Sequence, residues 1–195
     1  QLRREIKNNN LDYDCAICKH QIEAGDFEGV KARSTDNFFS ENYSRPVFME
    51  FCLDNTCNLA CVMCNSLLSS TIRKTEKLPP LKRYYDDSFV EQLTPYIPYL
   101  KEVVFSGGEP FLIPLYFKMW EKMIALNPKL IIGVVTNGST LNQRIKDLLH
   151  RGNFKINISI DSIDKQTYES VRCNANFEHL MGNFDWFVQY GRRNN

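Results

Sequence analysis

Three cysteines fall within eight residues in Cys57-Asn58-Leu59-Ala60-Cys61-Val62-Met63-Cys64. Thiolates suit soft metal centres. Four protein ligands close a structural site, whereas three leave one coordination position open for a small molecule. The octapeptide alone also fits half of a zinc site. Further groups with chemical potential follow it. Gly107-Gly108-Glu109-Pro110 places a carboxylate behind two glycines, and adjacent glycines let a backbone approach a ligand closely. Thr136-Asn137 offers a hydroxyl and an amide, and Ser159-Ile160-Asp161 a hydroxyl and a carboxylate. Arg172 is a guanidinium able to grip a carboxylate in a two-pronged fork. A second thiol pair, Cys15-x2-Cys18, lies near the start.

The elements that must position these groups are legible from Pro46 onward. Val47 to Phe51 is rich in β-formers and runs into the cysteine loop, and Ser66 to Lys74 can form a short helix. Ser88 with Glu91 reads as a capping box for a helix that Pro95 and Pro98 limit. Val103-Val104-Phe105 is a second strand. Leu115 to Leu126 is a helix with Met119, Met123 and Leu126 on one stripe, closed by Pro128. Leu130 to Val135 is a third strand. Thr140 with Gln143 caps a helix through Leu149 that ends at Gly152 as its C′ residue. Lys155 to Asp161 is a fourth strand with alternating Ile156, Ile158 and Ile160, and a last helix runs from Phe177 to Gln189. Strands alternating with helices predict an α/β fold with a parallel sheet of right-handed βαβ units.

In such sheets ligands bind at the carboxyl ends of the strands. The cysteine loop, the Gly107-Gly108 pair, Thr136-Asn137 and Ser159-Asp161 each fall at such an end. Turn chemistry alone explains glycines or polar residues at any one strand end. It does not explain the convergence of all four.

Composition bounds the rest. The 195 residues suffice for one sizeable core, with 43% apolar and 12% aromatic residues. A formal net charge of +1 gives no electrostatic case for nucleic acid or an anionic membrane. No apolar run is long enough to span a bilayer. Seven cysteines, four of them between Cys52 and Cys64, point to metal or redox use in a reducing compartment, so the expected location is cytoplasmic. The chain does not open on Met and closes without a terminating element, which suggests a piece of a longer protein. Residues 1–45 read as a short, irregular, cysteine-bearing extension, with helix-spaced Leu2 and Ile6 and a turn cluster at Ser34-Thr35-Asp36-Asn37. The core would be 46–195.

From Pro46 to its end the chain resembles the radical S-adenosylmethionine (SAM) superfamily. The resemblance rests on Cys57-x3-Cys61-x2-Cys64, with Met63 as the bulky residue before the last cysteine, and on Gly107-Gly108-Glu109-Pro110. It implies a partial (β/α)6 radical SAM barrel with four βα units present. It implies a [4Fe–4S] cluster held by Cys57, Cys61 and Cys64, with SAM on the fourth iron. SAM contacts would come from Gly107, Gly108, Glu109 and Pro110 at its amino group, from Thr136 and Asn137, from Ser159 and Asp161 near the ribose, and from Arg172 at the methionine carboxylate. On that view Gly108→Val should weaken SAM binding and leave iron content unchanged. Reductive cleavage of SAM would give a 5′-deoxyadenosyl radical that takes hydrogen from a peptide, a sugar or another small molecule. The electron would come from a reductant such as flavodoxin or ferredoxin. Cys15 and Cys18 look like part of a SPASM or twitch element, which carries a second Fe–S cluster, or like an unmetallated pair. With two of six units absent, the chain alone is expected to be weak in SAM cleavage and prone to associate along its fourth strand.

Two other readings stay open on sequence. One is a zinc-binding interaction module using Cys15, Cys18, Cys61 and Cys64, although 42 residues separate its halves. The other is a cluster-binding pseudoenzyme. Cys52 and Cys173 read as small buried hydrophobes. His150 reads as a cation on a helix end, and Phe184, Trp186 and Phe187 as core and rim.

Overall fold

The structure, a computed structural model, describes residues 10–12, 15–30 and 45–194 and the single positions 4, 7, 8, 33 and 38. Leu2, Ile6 and the turn cluster Ser34-Thr35-Asp36-Asn37 lie outside these residues. The chain divides into two compact units, Gln1–Tyr43 and Ser44–Asn195.

In the first unit, helix α1 (Ala16–Glu23) stands where an irregular chain was expected. Cys15 is its N-cap residue. Lys19 lies 2.5 Å from Asp12 and 3.6 Å from Glu23, so local ion pairs supply what the apolar pattern lacked.

The second unit is built on strands β1 (Phe48–Phe51), β2 (Glu102–Phe105), β3 (Ile131–Thr136) and β4 (Asn153–Ile158). They form one sheet in the order β1-β2-β3-β4, parallel throughout. Phe51, Phe105, Val134 and Ile156 are register partners across the sheet. The loops that follow the four strands therefore leave from one edge of the sheet.

Helices α2 (Ser70–Thr75), α3 (Asp87–Leu93), α4 (Pro114–Leu126), α5 (Gln143–Arg151), α6 (Lys165–Val171) and α7 (Phe177–Asn194) fill the connections. Their starts correct three expectations. Ser69 caps α2 by accepting from the Ile72 amide, so the helix begins four residues later than Ser66. Asp86, not Ser88, caps α3, and its carboxylate accepts from the Ser88 amide and hydroxyl. Asn142, not Thr140, caps α5, accepting from the Ile145 amide. In each case a nearer Asx or Ser side chain reached the open amides first. Gly152 ends α5 in extended backbone, not left-handed. A Cβ there would press on Phe154 and Ile124, so packing requires the glycine.

The core centres on α4, whose Tyr116, Met119, Trp120 and Met123 are fully buried. The Trp120 ring meets Phe105, Phe111 and Phe154 edge-on. Such aromatic pairs add about 0.5–1.5 kcal/mol beyond their buried area. Phe187 is buried, while Phe184 and Trp186 are only partly so. The His150 ring packs against Trp186 and Tyr190. Among the described residues no helix is long and apolar enough to cross a membrane.

Candidate metal and cofactor site

The cysteine loop leaves β1 and is held from three sides. On the first, the Gly108 amide donates to Asp54 O at 3.1 Å and the Glu109 amide to Thr56 O at 2.7 Å. On the second, α2 supplies hydroxyls. Ser69 donates to Leu59 O at 2.6 Å, Thr71 to Cys57 O at 2.7 Å, and Ser70 accepts from the Cys57 amide at 3.1 Å. On the third, the last residue of α6 and the segment after it add two backbone bonds, Val62 N to Val171 O and Ala60 N to Cys173 O, both 2.9 Å. Leu59 is buried at the centre. A loop so fully bonded fixes where its thiols point.

Gly107 and Gly108 owe their identity to this packing. Gly107 has φ +114, a region side chains rarely adopt, and a Cβ there would lie 2.9 Å from Asp54 O. A Cβ at Gly108 would fall on the Thr56 carbonyl and 2.7 Å from the Asn55 carbonyl carbon. The glycines let two loop backbones meet. A side chain at Gly108 would therefore press on the cysteine loop itself.

Glu109 and Pro110 are buried and do not line the cavity where the thiols meet. Within the protein the Glu109 carboxylate has a positioning role. The Glu109 carboxylate accepts from the Thr136 hydroxyl at 2.7 Å, the Asn137 amide at 2.8 Å and the Phe111 amide at 3.2 Å. It ties the end of β2 to the end of β3. Burial pushes its pKa up, and these hydrogen bonds oppose the rise. Tyr116, unnoticed in the sequence, does the same for β1 and β2. Its hydroxyl accepts from Leu53 N at 2.9 Å and sits 3.2 Å from Phe51 O and 3.0 Å from Ser106 O.

Cys57, Cys61 and Cys64 line one cavity of about 290 Å³ together with Gly107 and Gly108. Met63, Thr136, Asn137, Ser159 and Arg172 complete its functional lining. Asn137 Nδ2 is 4.0 Å from Cys57 Sγ and 3.1 Å from Asn58 Oδ1. The Ser159 amide extends the β3–β4 ladder by donating to Thr136 O. Arg172 caps the end of α6 and is a half-buried cation, not a solvated one. Its Nη1 is 3.9 Å from Cys61 Sγ. Its Nε lies 2.6 Å from Asp161 Oδ2, but the N–H is not aimed at that oxygen and has no hydrogen-bond acceptor. Asp161 is outside the cavity lining, beyond the end of β4, which stops at Ile158. It stands beside Arg172.

Burial raises the thiol pKa of Cys57, reinforced by the Glu109 carboxylate. Burial also raises that of Cys61, and Arg172 opposes it. Cys52 is exposed, not buried as expected, because it lies at the sheet edge where the chain turns into the loop. Cys173 is half-buried.

The donor set fits a multinuclear cluster. Three thiols surround one cavity, a guanidinium N–H beside them lacks an acceptor, and an amide reaches toward one sulfur. Among the described residues, no three or more His, Cys, Asp or Glu side chains stand close enough together to hold a metal ion as they are, so the three cysteines share a cavity without being drawn into a ligand cage. Ser69, Ser70 and Thr71 were also missed as site residues. Their run of three hydroxyls directly after a metal-type loop was the available signal.

The sequence model of the Radical SAM superfamily matches residues 53–195. A probable GTP 3′,8-cyclase of Methanocella arvoryzae is 25% identical over 146 residues, which are 71% of this chain and 42% of that protein. Molybdenum cofactor biosynthesis protein 1 of Drosophila melanogaster is 27% identical over 157 residues, 75% of this chain and 25% of the relative. Among solved structures, native anSMEcpe with bound AdoMet superposes with a TM-score of 0.57 at 22% identity, covering 74% of this chain and 41% of that one. SuiB of Streptococcus suis bound to precursor peptide SuiA gives 0.58 at 14%, covering 97% and 43%. These likenesses agree on an α/β fold with four parallel strands that match part of a barrel. The chain spans less than half the length of these relatives.

Proposed function

This chain belongs to the radical SAM superfamily, whose members use a [4Fe–4S] cluster and SAM, and on that footing we propose that Cys57, Cys61 and Cys64 hold the cluster. The observation that carries the reading is the shared cavity, where three thiols, a glycine pair and Arg172 meet at the carboxyl ends of parallel strands. When bound, the cluster supplies the electron that splits SAM into methionine and a 5′-deoxyadenosyl radical able to take hydrogen from a substrate.

The chain's own residues do the rest. Three sets of loop bonds keep the thiols on one side of the loop. Arg172 offers a cation beside Cys61, suited to the methionine carboxylate. Ser159, Thr136 and Asn137 supply polar contacts to the same cavity, and Met63 adds an apolar one. Glu109 and Tyr116 hold the strand ends in register, so the walls keep their spacing without touching the cofactor.

The substrate is a peptide or a small molecule such as a sugar. The electron donor is a small redox protein of the flavodoxin or ferredoxin kind. Cys15 and Cys18 belong to an auxiliary-cluster element. They occupy the N-cap and first turn of α1, three residues apart and so on one face.

The test is product formation. Reduced, iron-loaded protein should release 5′-deoxyadenosine from SAM, and Arg172→Ala should bind SAM more weakly. SAM left intact by protein with a full cluster would refute the enzymatic reading and favour a pseudoenzyme.

A further inference from the structure

A second, larger cavity does not belong to this site. It measures about 820 Å³ and shares no lining residue with the cavity of the thiols. It opens between the start of the cysteine loop, α2 and the segment that follows α2.

Its charge is one-sided. Arg73, Lys74, Lys77, Lys82 and Arg83 line it, against the single carboxylate of Asp54. Arg83 takes that carboxylate, with Nε 2.8 Å from Asp54 Oδ2. Arg73 donates to the Pro79 carbonyl. Lys74, Lys77 and Lys82 have no carboxylate partner among the described residues, and Lys82 only overhangs the Tyr84 ring at 5.0 Å. The whole chain carries +1, so this excess is local. Gathering like charges costs free energy that an anion removes.

A simpler account has Arg73 and Lys74 complementing the C-terminal dipole of α2. It does not reach Lys77, Lys82 and Arg83, which lie beyond the helix. Lys77 adds a second sign. It sits at φ +57, in the turn closed by the Leu78 amide on Arg73 O, a place usually given to glycine. A lysine kept in that conformation is worth a functional reading.

Leu78 and Leu81 are 43% and 37% exposed and add apolar lining to the cations. A volume of about 820 Å³ with both cationic and apolar lining falls among small-molecule sites of about 300–1,000 Å³. We propose that this cavity binds a small organic ligand through two or more phosphate groups. Ser70 and Thr71 form part of its floor and also hold the backbone of Cys57, so an occupant would touch residues that support the first thiol. The proposal stands on the cavity alone and does not rest on cluster binding.

Inorganic tripolyphosphate is the probe. Calorimetry with the full chain should show one saturable site that weakens as salt rises from about 50 to about 300 mM. The triple variant Lys74→Ala, Lys77→Ala, Lys82→Ala should bind at least about tenfold more weakly, the loss expected of several charge-assisted contacts. Lys122→Ala, Lys129→Ala, Lys146→Ala removes the same charge elsewhere and should leave affinity unchanged. A measurement on the unaltered protein guards against misfolding: tripolyphosphate should slow acylation of Lys74, Lys77 and Lys82 but not of Lys129. No saturable binding, or equal losses in both triple variants, would overturn the proposal. Citrate binding as tightly as tripolyphosphate would overturn the assignment to phosphate. Tight binding of an acidic peptide without tripolyphosphate binding would show a protein-docking face instead.

Discussion

Gly108→Ala is the sharpest perturbation of the site, because the structure says what the added methyl meets. The new Cβ falls on the Thr56 carbonyl and 2.7 Å from the Asn55 carbonyl carbon, against an ordinary contact of about 3.5 Å between carbons. Neither backbone can retreat freely. The same contact carries Gly108 N to Asp54 O and Glu109 N to Thr56 O. Overpacking of this kind costs about 1–3 kcal/mol. Losing the two hydrogen bonds adds about 1–3 kcal/mol more. A loss of about 2–6 kcal/mol would fall mainly on the cysteine loop, since the aromatic core around Trp120 is untouched. The expected outcome is a folded protein that takes up little iron after anaerobic reconstitution. Iron per chain and circular dichroism, measured on one preparation, separate loop damage from unfolding. A Gly108→Ala protein with full iron and a selective loss of SAM affinity would show that the glycines serve the ligand and not the loop.

Tyr116→Phe removes the hydroxyl that joins β1 and β2 and should lower stability in urea by about 1–3 kcal/mol, the cost of stranding a buried amide and carbonyls. An unchanged midpoint would mean the strand ends are held otherwise. Trp120→Ala should cost about 3–5 kcal/mol by emptying the centre of the aromatic cluster. A shift below about 1 kcal/mol would contradict the packing described. Asp164 caps α6, and hydrogen bonds from Thr167 hold its carboxyl below the ordinary 3.8. A lowered carboxyl pKa stabilises the fold above the unfolded value, and the contribution fades as pH falls through the folded one. The melting temperature of Asp164→Asn should therefore lag wild type at neutral pH and converge with it below pH 3.8. A gap that stays constant with pH would deny the cap its charge.

How much of this was legible in the sequence depends on the range of the forces involved. Strands and long helices were readable because their apolar periods are local, as with Ile132 and Val134 in β3 or Met119 and Met123 in α4. Helix starts were misplaced where two capping residues competed within a few positions, as with Asp86 and Ser88. The thiols and the glycine motif were visible as spacing. Their geometry was not, because it depends on contacts between distant segments. Cys57 is supported by Ser70 and Thr71, the loop is bonded to residues 171–173, and Gly108 faces Thr56 rather than solvent. Glu109 was legible as a motif residue. That it is fully buried and turned toward Thr136 and Asn137 follows only from the pairing of β2 with β3.

The central claim is that one loop holds a cluster with a position open to SAM. Electron paramagnetic resonance of the anaerobically reconstituted, reduced protein tests it most directly. The account predicts about four iron per Cys57, Cys61 and Cys64 set. It also predicts a reduced-cluster signal that changes on adding SAM and is lost with alanine at any of the three cysteines. Tightly bound zinc with no iron, or a cluster signal that SAM leaves unmoved, would contradict it.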